Sequence, residues 1–264
     1  MSEDIVLYKV KNKYVEIIID RPPVHAWSVT LMQQFYDKLI EADNDERVKC
    51  ILIKSTGTRL FSAGIDIKIQ PEDPEQYYLD RKRLGRLIPE KMMLMKKPII
   101  CMVQGSAIGY GMIVIMASDL KIFADRPFPE MFFKMPEIEL DMYPSSSATT
   151  GPLYAFGLSY AKNILLTSDR FGLEDLKNMN FPTRIFPLET IESDTEKFMD
   201  EFVKHKESIM YLIKSTLTLM HNKNVSSWLD MELENSRKVR FEENLPKSSK
   251  EWDDYINYLY KKYP

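Results

Sequence analysis

Two short loops of small residues are the parts of this 264-residue sequence best suited to chemistry. Residues 61–66 (FSAGID) follow an apolar, β-branched run, and residues 104–111 (QGSAIGYG) follow another and open a predicted helix. Small residues let a ligand approach the backbone, and the first N–H groups of a helix have no intrahelical acceptor. Two such loops side by side predict a pair of N–H donors aimed at one developing oxyanion.

Other common chemistries lack their residues in this sequence. The three histidines are scattered, and neither His-x-x-x-His nor Cys-x-x-Cys occurs, so no metal site is predicted. There is no Gly-x-Ser-x-Gly for a nucleophile elbow and no Gly-Lys-Ser/Thr phosphate loop. Gly109-Tyr110-Gly111 lacks the third glycine of a dinucleotide-binding turn. We therefore expect no metal and no separate cofactor.

The elements around the two loops alternate between apolar strands and helices. Predicted strands cover residues 5–10, 14–19, 48–54, 99–103 and 120–124, and predicted helices cover 28–43, 74–95, 109–117, 160–166, 173–178, 195–221 and 226–243. This order predicts an α/β fold with right-handed crossovers. We expect an α/β core over residues 1–190 and a helical C-terminal region over 191–264.

Composition narrows the class of protein further. The net charge of −3 makes a nucleic-acid partner unlikely. Cys50 and Cys101 lie in β-branched runs and indicate buried thiols in a reducing compartment, and the acidic N-terminus lacks the pattern of a signal peptide, so we expect a cytoplasmic protein. Residues 98–118 carry no charge, but Gln104-Gly105-Ser106 interrupts them, which favours a strand, a turn and a buried helix over a membrane span.

Several segments in order resemble the crotonase (enoyl-CoA hydratase/isomerase) superfamily. They lie between about residues 5 and 185 and comprise 20–26 (DRPPVHA), 61–67 (FSAGIDI), 97–100 (KPII), 105–111 (GSAIGYG), 118–119 (SD), Ala124 and 135–140 (MPEIEL). The resemblance implies a spiral of ββα turns, followed by a helical region through which members form trimers. It also implies a homotrimer or a dimer of trimers for this chain.

The same resemblance implies an acyl-CoA substrate, with coenzyme A entering only as part of the thioester. It assigns the oxyanion-binding N–H groups to Ile65 and Tyr110. The residues it implies for binding coenzyme A are Val24, Ala26, Ala63, Ile65, Asp66, Ile67, Lys68 and Tyr110. Tyr110 departs from the usual glycine, so its ring is expected either to narrow the acyl pocket or to point away into packing.

The carboxylates decide which reaction the resemblance implies. Family hydratases use two glutamates, and here Ile113 occupies the first position while Glu137 is retained at the second. A single carboxylate beside an oxyanion hole suits a proton shuttle from C2 to C4, as in similar enoyl-CoA isomerases. Glu130, Glu139 and Asp141 are alternative or second carboxylates. If Asp141 reaches the pocket, hydration, hydrolysis or decarboxylation becomes an alternative.

Two further alternatives accompany the isomerase hypothesis. One is an enoyl-CoA hydratase or another acyl-CoA lyase or hydrolase. The other is a non-catalytic member that binds acyl-CoA or RNA, because similar proteins bind RNA through a basic helix in the region of residues 81–97. That helix is otherwise expected to be a solvated face or to attract the phosphates of coenzyme A.

Overall fold

The computed structural model describes residues 4–221, 225–241, 246 and 248–263. Its strands are β1 (Val6–Val10), β2 (Tyr14–Ile19), β3 (Cys50–Ser55), β4 (Leu60–Ser62), β5 (Ile99–Val103), β6 (Ser106–Ile108), β7 (Leu120–Asp125), β8 (Phe133–Lys134) and β9 (Arg184–Pro187). Its helices are α1 (Val29–Asn44), α2 (Pro74–Leu94), α3 (Tyr110–Ala117), α4 (Thr150–Thr167), α5 (Leu173–Asn178), α6 (Ile191–Phe202), α7 (Glu207–His221), α8 (Val225–Phe241) and α9 (Ser249–Lys262). A 3₁₀ turn spans Glu137–Leu140.

The strands form two sheets whose members alternate along the chain. The larger sheet has the order β1-β2-β3-β5-β7-β9 and is parallel except for the first pair, and the smaller sheet is parallel with the order β4-β6-β8. From β3 onward the chain places one strand in the larger sheet, the next in the smaller sheet, and then a helix. The predicted α/β fold of successive ββα turns is confirmed.

The larger sheet is buried on both faces. Along β3, Ile51 and Ile53 belong to the apolar core beneath α1, α2 and α3, while Cys50 and Leu52 belong to a second core closed by α6. Successive side chains of a strand point to opposite faces, so a strand covered on both sides must be apolar throughout. This explains the continuous apolar run that identified the strand in the sequence.

The helices that flank the site begin at capped ends. The Ser28 hydroxyl accepts a hydrogen bond from the Leu31 N–H (3.1 Å) at the start of α1. Asp73 accepts from the Gln76 N–H (2.9 Å) at the start of α2, whose first residue is Pro74. Such caps satisfy donors that the first turn leaves unpaired.

The prediction of one helix over residues 195–221 is wrong. Two helices, α6 and α7, replace it, and residues 203–206 separate them. The Lys49 ammonium donates to the carbonyls of Val203 (2.8 Å) and His205 (3.1 Å), so these oxygens are held by the residue that precedes β3. The predicted helix 160–166 also extends back to Thr150, with a break at Gly157, where φ is +77°.

The C-terminal helices pack against the rest of the chain. Lys214 of α7 is buried, pairs with the exposed Asp119 (2.7 Å) and donates to the Met92 and Lys97 carbonyls. Asp230 of α8 pairs with Arg86 of α2 (2.9 Å). The division at residue 190 and the trimer stay predictions. Within the described ranges, no helix is long and apolar enough to cross a membrane.

Candidate active site

The two small-residue loops lie side by side because their strands pair. In the smaller sheet, β4 and β6 are parallel neighbours, with Leu60 opposite Ser106 and Ser62 opposite Ala107. Gly64 follows β4 with φ +84°, and a Cβ there would lie 2.8 Å from the Ile108 carbonyl oxygen. Only glycine permits this approach at this backbone angle. Gly64 therefore brings the first loop against the second.

The N–H groups of Ile65 and Tyr110 are both unused by the described part of the protein. Tyr110 is the first residue of α3, whose leading N–H groups have no helical acceptor. The Trp27 N–H donates to the Gly64 carbonyl (2.8 Å) and the Asp66 N–H to the Trp27 carbonyl (3.0 Å), which fixes the backbone on either side of Ile65. Two neighbouring, rigidly held donors can stabilise an oxyanion.

The Tyr110 side chain points away from the N–H groups into the core. Its ring lies edge-on to Trp27 (centroids 5.0 Å apart), and its hydroxyl donates to the Gly85 carbonyl (3.1 Å). Only 3% of the residue is exposed. Of the two outcomes expected for this ring, packing is the one observed, although the ring also forms part of a cavity wall.

Glu137 stands directly over the second loop. The Gly109 N–H donates to the Lys134 carbonyl (2.9 Å), which holds the end of β8 beside the second loop. The 3₁₀ turn that begins at Glu137 follows β8 in the chain. A Cβ built on Gly109 would lie 3.5 Å from Glu137 Oε1. The carboxylate thus lies beside Gly109, the residue that precedes Tyr110.

The surroundings of Glu137 suit it to act as a base near neutral pH. Burial raises its pKa from the ordinary 4.5 to about 7, although its own N–H and the charge of Lys82 oppose the rise. Its Oε2 is buried with no hydrogen-bond partner among the described residues. A carboxylate whose pKa is near the working pH is effective both as a proton acceptor and as a donor.

Two cavities meet at these groups. The larger, of about 610 Å³, is lined by the loops 21–26 and 63–68, and the smaller, of about 280 Å³, by α2, α8 and residues 141–146. Both include Ile65, Tyr110, Glu137 and Met142 in their walls. All the residues expected to bind coenzyme A line the larger cavity: Val24, Ala26, Ala63, Ile65, Asp66, Ile67, Lys68 and Tyr110. The larger cleft and the smaller cavity therefore meet at the two loops and Glu137.

The wall of the larger cavity is held by Arg21. Its guanidinium pairs with Asp66 (2.7 Å) and donates to the Ala26 carbonyl (2.6 Å). The Ala63 N–H donates to the Val24 carbonyl (2.9 Å), which joins the two loops directly. The Asp66 carboxylate thus positions the cleft and is not free to act as a base.

The three alternative carboxylates lie in different surroundings. Glu130 lies exposed beside Arg126 (3.8 Å), and Glu139 lies exposed beside Lys134 (2.6 Å). Asp141, in contrast, lines the smaller cavity together with Glu137. Ile113 also lines this cavity and is 3% exposed, so an apolar side chain fills the position where family hydratases are expected to carry a glutamate. Elsewhere in the described ranges, no group of three or more potential ligands suits a metal ion.

Several residues of the smaller cavity were not assigned to the site from the sequence. Tyr78, Arg81, Lys82 and Gly85 line it from one face of α2, with the i, i+3, i+4, i+7 spacing that indicates a common face. The basic helix was expected to be a solvated face, to attract the phosphates of coenzyme A or to bind RNA, whereas Lys82 donates to the hydroxyl of Ser145 (2.6 Å) and to that of Ser236 (2.5 Å). The helical spacing indicated that these residues share a face, but the residues that they contact lie in distant segments of the chain.

Glu232 of α8 holds the loop that closes the cavity. Its carboxylate is fully buried and accepts from the N–H groups of Ser147 (2.6 Å), Thr149 (3.2 Å) and Thr150 (2.9 Å) and from the Thr149 hydroxyl. Ser146 and Ser147 both have positive φ, which turns successive N–H groups toward one anion. The carboxylate also lies at the N-terminus of α4, where a negative charge is favourable.

Comparison with known proteins finds the same fold in solved structures. Structures with the same fold include Pseudomonas aeruginosa DspI (16% identity, covering 100% of this chain and 97% of that chain, TM-score 0.77). They also include a probable enoyl-CoA hydratase from Mycobacterium thermoresistibile (21%, 92% and 99%, TM-score 0.79) and an enoyl-CoA hydratase from Bacillus halodurans (15%, 89% and 95%, TM-score 0.81). The family model for enoyl-CoA hydratase/isomerase matches residues 9–254. This chain, with its crotonase fold, belongs to the enoyl-CoA hydratase/isomerase family.

Proposed function

We propose that this protein is an enoyl-CoA isomerase that moves a double bond from C3–C4 to C2–C3 of an acyl-CoA. The observation that carries the proposal is Glu137, a half-buried carboxylate with a pKa raised to about 7, in a cavity where Ile113 occupies the position of the first glutamate of family hydratases. Hydration needs one group to activate water and another to protonate carbon, whereas a double-bond shift needs one group that takes and returns the same proton.

The proposed steps follow from the geometry. The thioester oxygen accepts hydrogen bonds from the Ile65 and Tyr110 N–H groups. Glu137 removes a proton from C2, and the electron pair of that C–H bond passes into the dienolate, whose charge rests on the oxygen between the two donors. The protonated Glu137 then donates to C4, and the double bond reforms between C2 and C3. No cofactor beyond the coenzyme A of the substrate is required.

Product analysis with 3-hexenoyl-CoA tests this proposal. The wild type should form 2-hexenoyl-CoA, and Glu137→Gln should lower the rate by about 10²- to 10⁴-fold, the usual contribution of a general base. Glu139→Gln is the matched control because Glu139 lies two residues away but is exposed beside Lys134. Equal activity of Glu137→Gln and the wild type would exclude Glu137 as the base.

A second candidate reaction is hydration of a 2-enoyl-CoA, and the position of Asp141 in the smaller cavity favours it. Asp141 would then supply the second carboxylate. In that case 2-hexenoyl-CoA should yield 3-hydroxyhexanoyl-CoA, and Asp141→Asn should abolish this product while the double-bond shift continues. A protein that binds acyl-CoA without catalysis would give neither product and would exchange no C2 proton with deuterated water.

For the assembly we propose a homotrimer or a dimer of trimers. Exposed apolar side chains on α7 support a self-association surface, namely Ile209, Leu212, Ile213 and Leu217. Light scattering of the purified protein should give a mass of three or six chains. A monomer at micromolar concentration would contradict the proposal.

A further inference from the structure

The smaller cavity has an unusual excess of positive charge. Arg81 and Lys82 of α2 face Arg240 of α8 across it. Within the described ranges, none of the three has a carboxylate within ion-pair distance, since every ion pair found there involves other cations. Unpaired cations in a partly buried site are unfavourable unless a ligand neutralises them.

Elsewhere on α2 the positive side chains form ion pairs with carboxylates. Arg86 pairs with Glu90 (2.7 Å) and Asp230 (2.9 Å), and Lys91 pairs with Asp43 (2.5 Å). The positive charges of this helix are thus neutralised where it packs against other segments of the chain. The unmatched charges are those that face the cavity, which points to a ligand as their partner.

The Lys82 ammonium is already oriented. It donates two of its three protons to the Ser145 and Ser236 hydroxyls, and the third has no acceptor in the described chain. Each serine hydroxyl accepts from Lys82 and keeps its own proton for a ligand. Burial, followed by the charges of Arg81 and Arg240, lowers the Lys82 pKa to about 8, although the charges of Glu232 and Glu137 oppose this shift, as a bound anion would also do.

The two arginines contact aromatic rings, and Arg240 lies 5.5 Å from the centre of the Phe241 ring. Arg240 lies 3.7 Å and Arg81 5.8 Å from the centre of the Tyr78 ring. Their guanidinium N–H groups have no protein acceptor within the ranges that the structure covers. Guanidinium groups bind carboxylates through paired hydrogen bonds, so these two add to the positive field around Lys82.

Two carboxylates, those of Glu137 and Asp141, line the cavity together with the cations. Glu137 is at the junction with the larger cleft, and Asp141 is exposed, and neither pairs with these cations. Ile65 and Tyr110, the proposed donors to the thioester oxygen, line the same cavity of about 280 Å³ as Lys82. The positive end is therefore within reach of a short acyl chain whose thioester lies at those donors.

We propose that the preferred acyl group is that of a dicarboxylic acid, with the thioester at one end and a free carboxylate at the other end bound by Lys82, Ser145 and Ser236. This inference rests on the proposed function only in placing the thioester at Ile65 and Tyr110. The proposed site would select among acyl-CoA substrates by the charge of the acyl group. Neither composition nor family membership determines that charge.

Binding of saturated esters tests the proposal without requiring turnover. Calorimetry would compare glutaryl-, adipoyl- and suberoyl-CoA with pentanoyl-, hexanoyl- and octanoyl-CoA, each pair having the same chain length. We expect at least one dicarboxylic ester to bind ten-fold or more tightly than its partner. The terminal amide of the best dicarboxylic ligand, which keeps the size and loses the charge, should lose this advantage.

Two variants identify the residue responsible. Lys82→Met keeps the length of the side chain and should reduce the preference to less than three-fold. Arg83→Met removes the same charge from the neighbouring residue, which is exposed beside Asp80, and should keep the preference. No preference at any length, or a preference that survives in Lys82→Met, would overturn the proposal.

The outcomes also separate this inference from the isomerase proposal. Tight binding of a dicarboxylic ester without any double-bond shift in the corresponding 3-enoyl ester would refute the isomerase and retain the specificity. Isomerisation of 3-hexenoyl-CoA with equal binding of both ester classes would refute the specificity alone. Failure of every ester to bind would refute both.

Discussion

Replacing Glu137 by glutamine should stabilise the protein at high pH while removing its activity. The carboxylate has a pKa raised from 4.5 to about 7 because it is buried and its Oε2 has no partner among the described residues. A raised pKa means that folding favours the protonated form. The stabilisation of the wild type by this group is therefore complete below pH 4.5 and lost as the pH rises through about 7.

The size of the effect follows from the two pKa values. Each tenfold change in proton affinity corresponds to about 1.4 kcal/mol, so ionised Glu137 costs the folded state about 3 kcal/mol at pH 9. Glutamine has the shape of the protonated acid and carries no charge. Glu137→Gln should thus match the wild type near pH 4.5 and have a free energy of unfolding larger by about 3 kcal/mol at pH 9.

Urea denaturation of both proteins at pH 5, 7 and 9 measures this difference. Glu139→Gln is the control, since its exposed pair with Lys134 should contribute about 1 kcal/mol or less. Equal free energies of unfolding for Glu137→Gln and the wild type at pH 9 would refute the reasoning, because they would show that the ionised carboxylate is well solvated or paired.

Three further predictions concern the same site. The kcat/KM for the double-bond shift should rise with pH and level off above about pH 7, as the catalytic carboxylate ionises; a profile flat from pH 5 to 9 would be inconsistent with the raised pKa. Gly64→Ala should destabilise the protein by about 1–3 kcal/mol in thermal unfolding, because φ is +84° and the new Cβ would meet the Ile108 carbonyl at 2.8 Å; unchanged stability would show that the loop relaxes freely. Tyr110→Phe should cost about 1 kcal/mol through loss of the hydrogen bond to Gly85 yet keep kcat within a few-fold, because the proposed donor is the backbone N–H; a large loss of kcat would assign the hydroxyl to the chemistry.

The parts of the site that the sequence predicted are those formed by local structure. Residues 61–66 and 104–111 each follow a strand of the larger sheet, and the short strands β4 and β6 that pair within them bring the two loops together. Their small residues and the helix that begins at Tyr110 could be identified without knowledge of packing. The central strands were equally evident because burial on both faces requires continuous apolar runs.

The parts that escaped prediction depend on contacts between distant segments. Lys82 could not be distinguished from a solvated lysine because its partner Ser236 lies 154 residues away. The break between α6 and α7 involves Lys49, which is likewise remote in sequence. The direction of the Tyr110 ring depends on the carbonyl of Gly85, on a different helix. Local spacing predicts which residues share a face but not what that face meets.

The dependence of the smaller cavity on α8 has an evolutionary consequence. Glu232 and Ser236, one helical turn apart, hold the wall of this cavity, whereas Ile65, Lys82, Tyr110 and Glu137 all lie before residue 138. The proposed carboxylate site therefore combines Lys82, from the part of the chain that also carries the residues proposed for the chemical step, with Ser236 from a distant helix. Substitutions confined to α8 are expected to change the preference for the acyl group while the residues proposed for the chemical step stay the same.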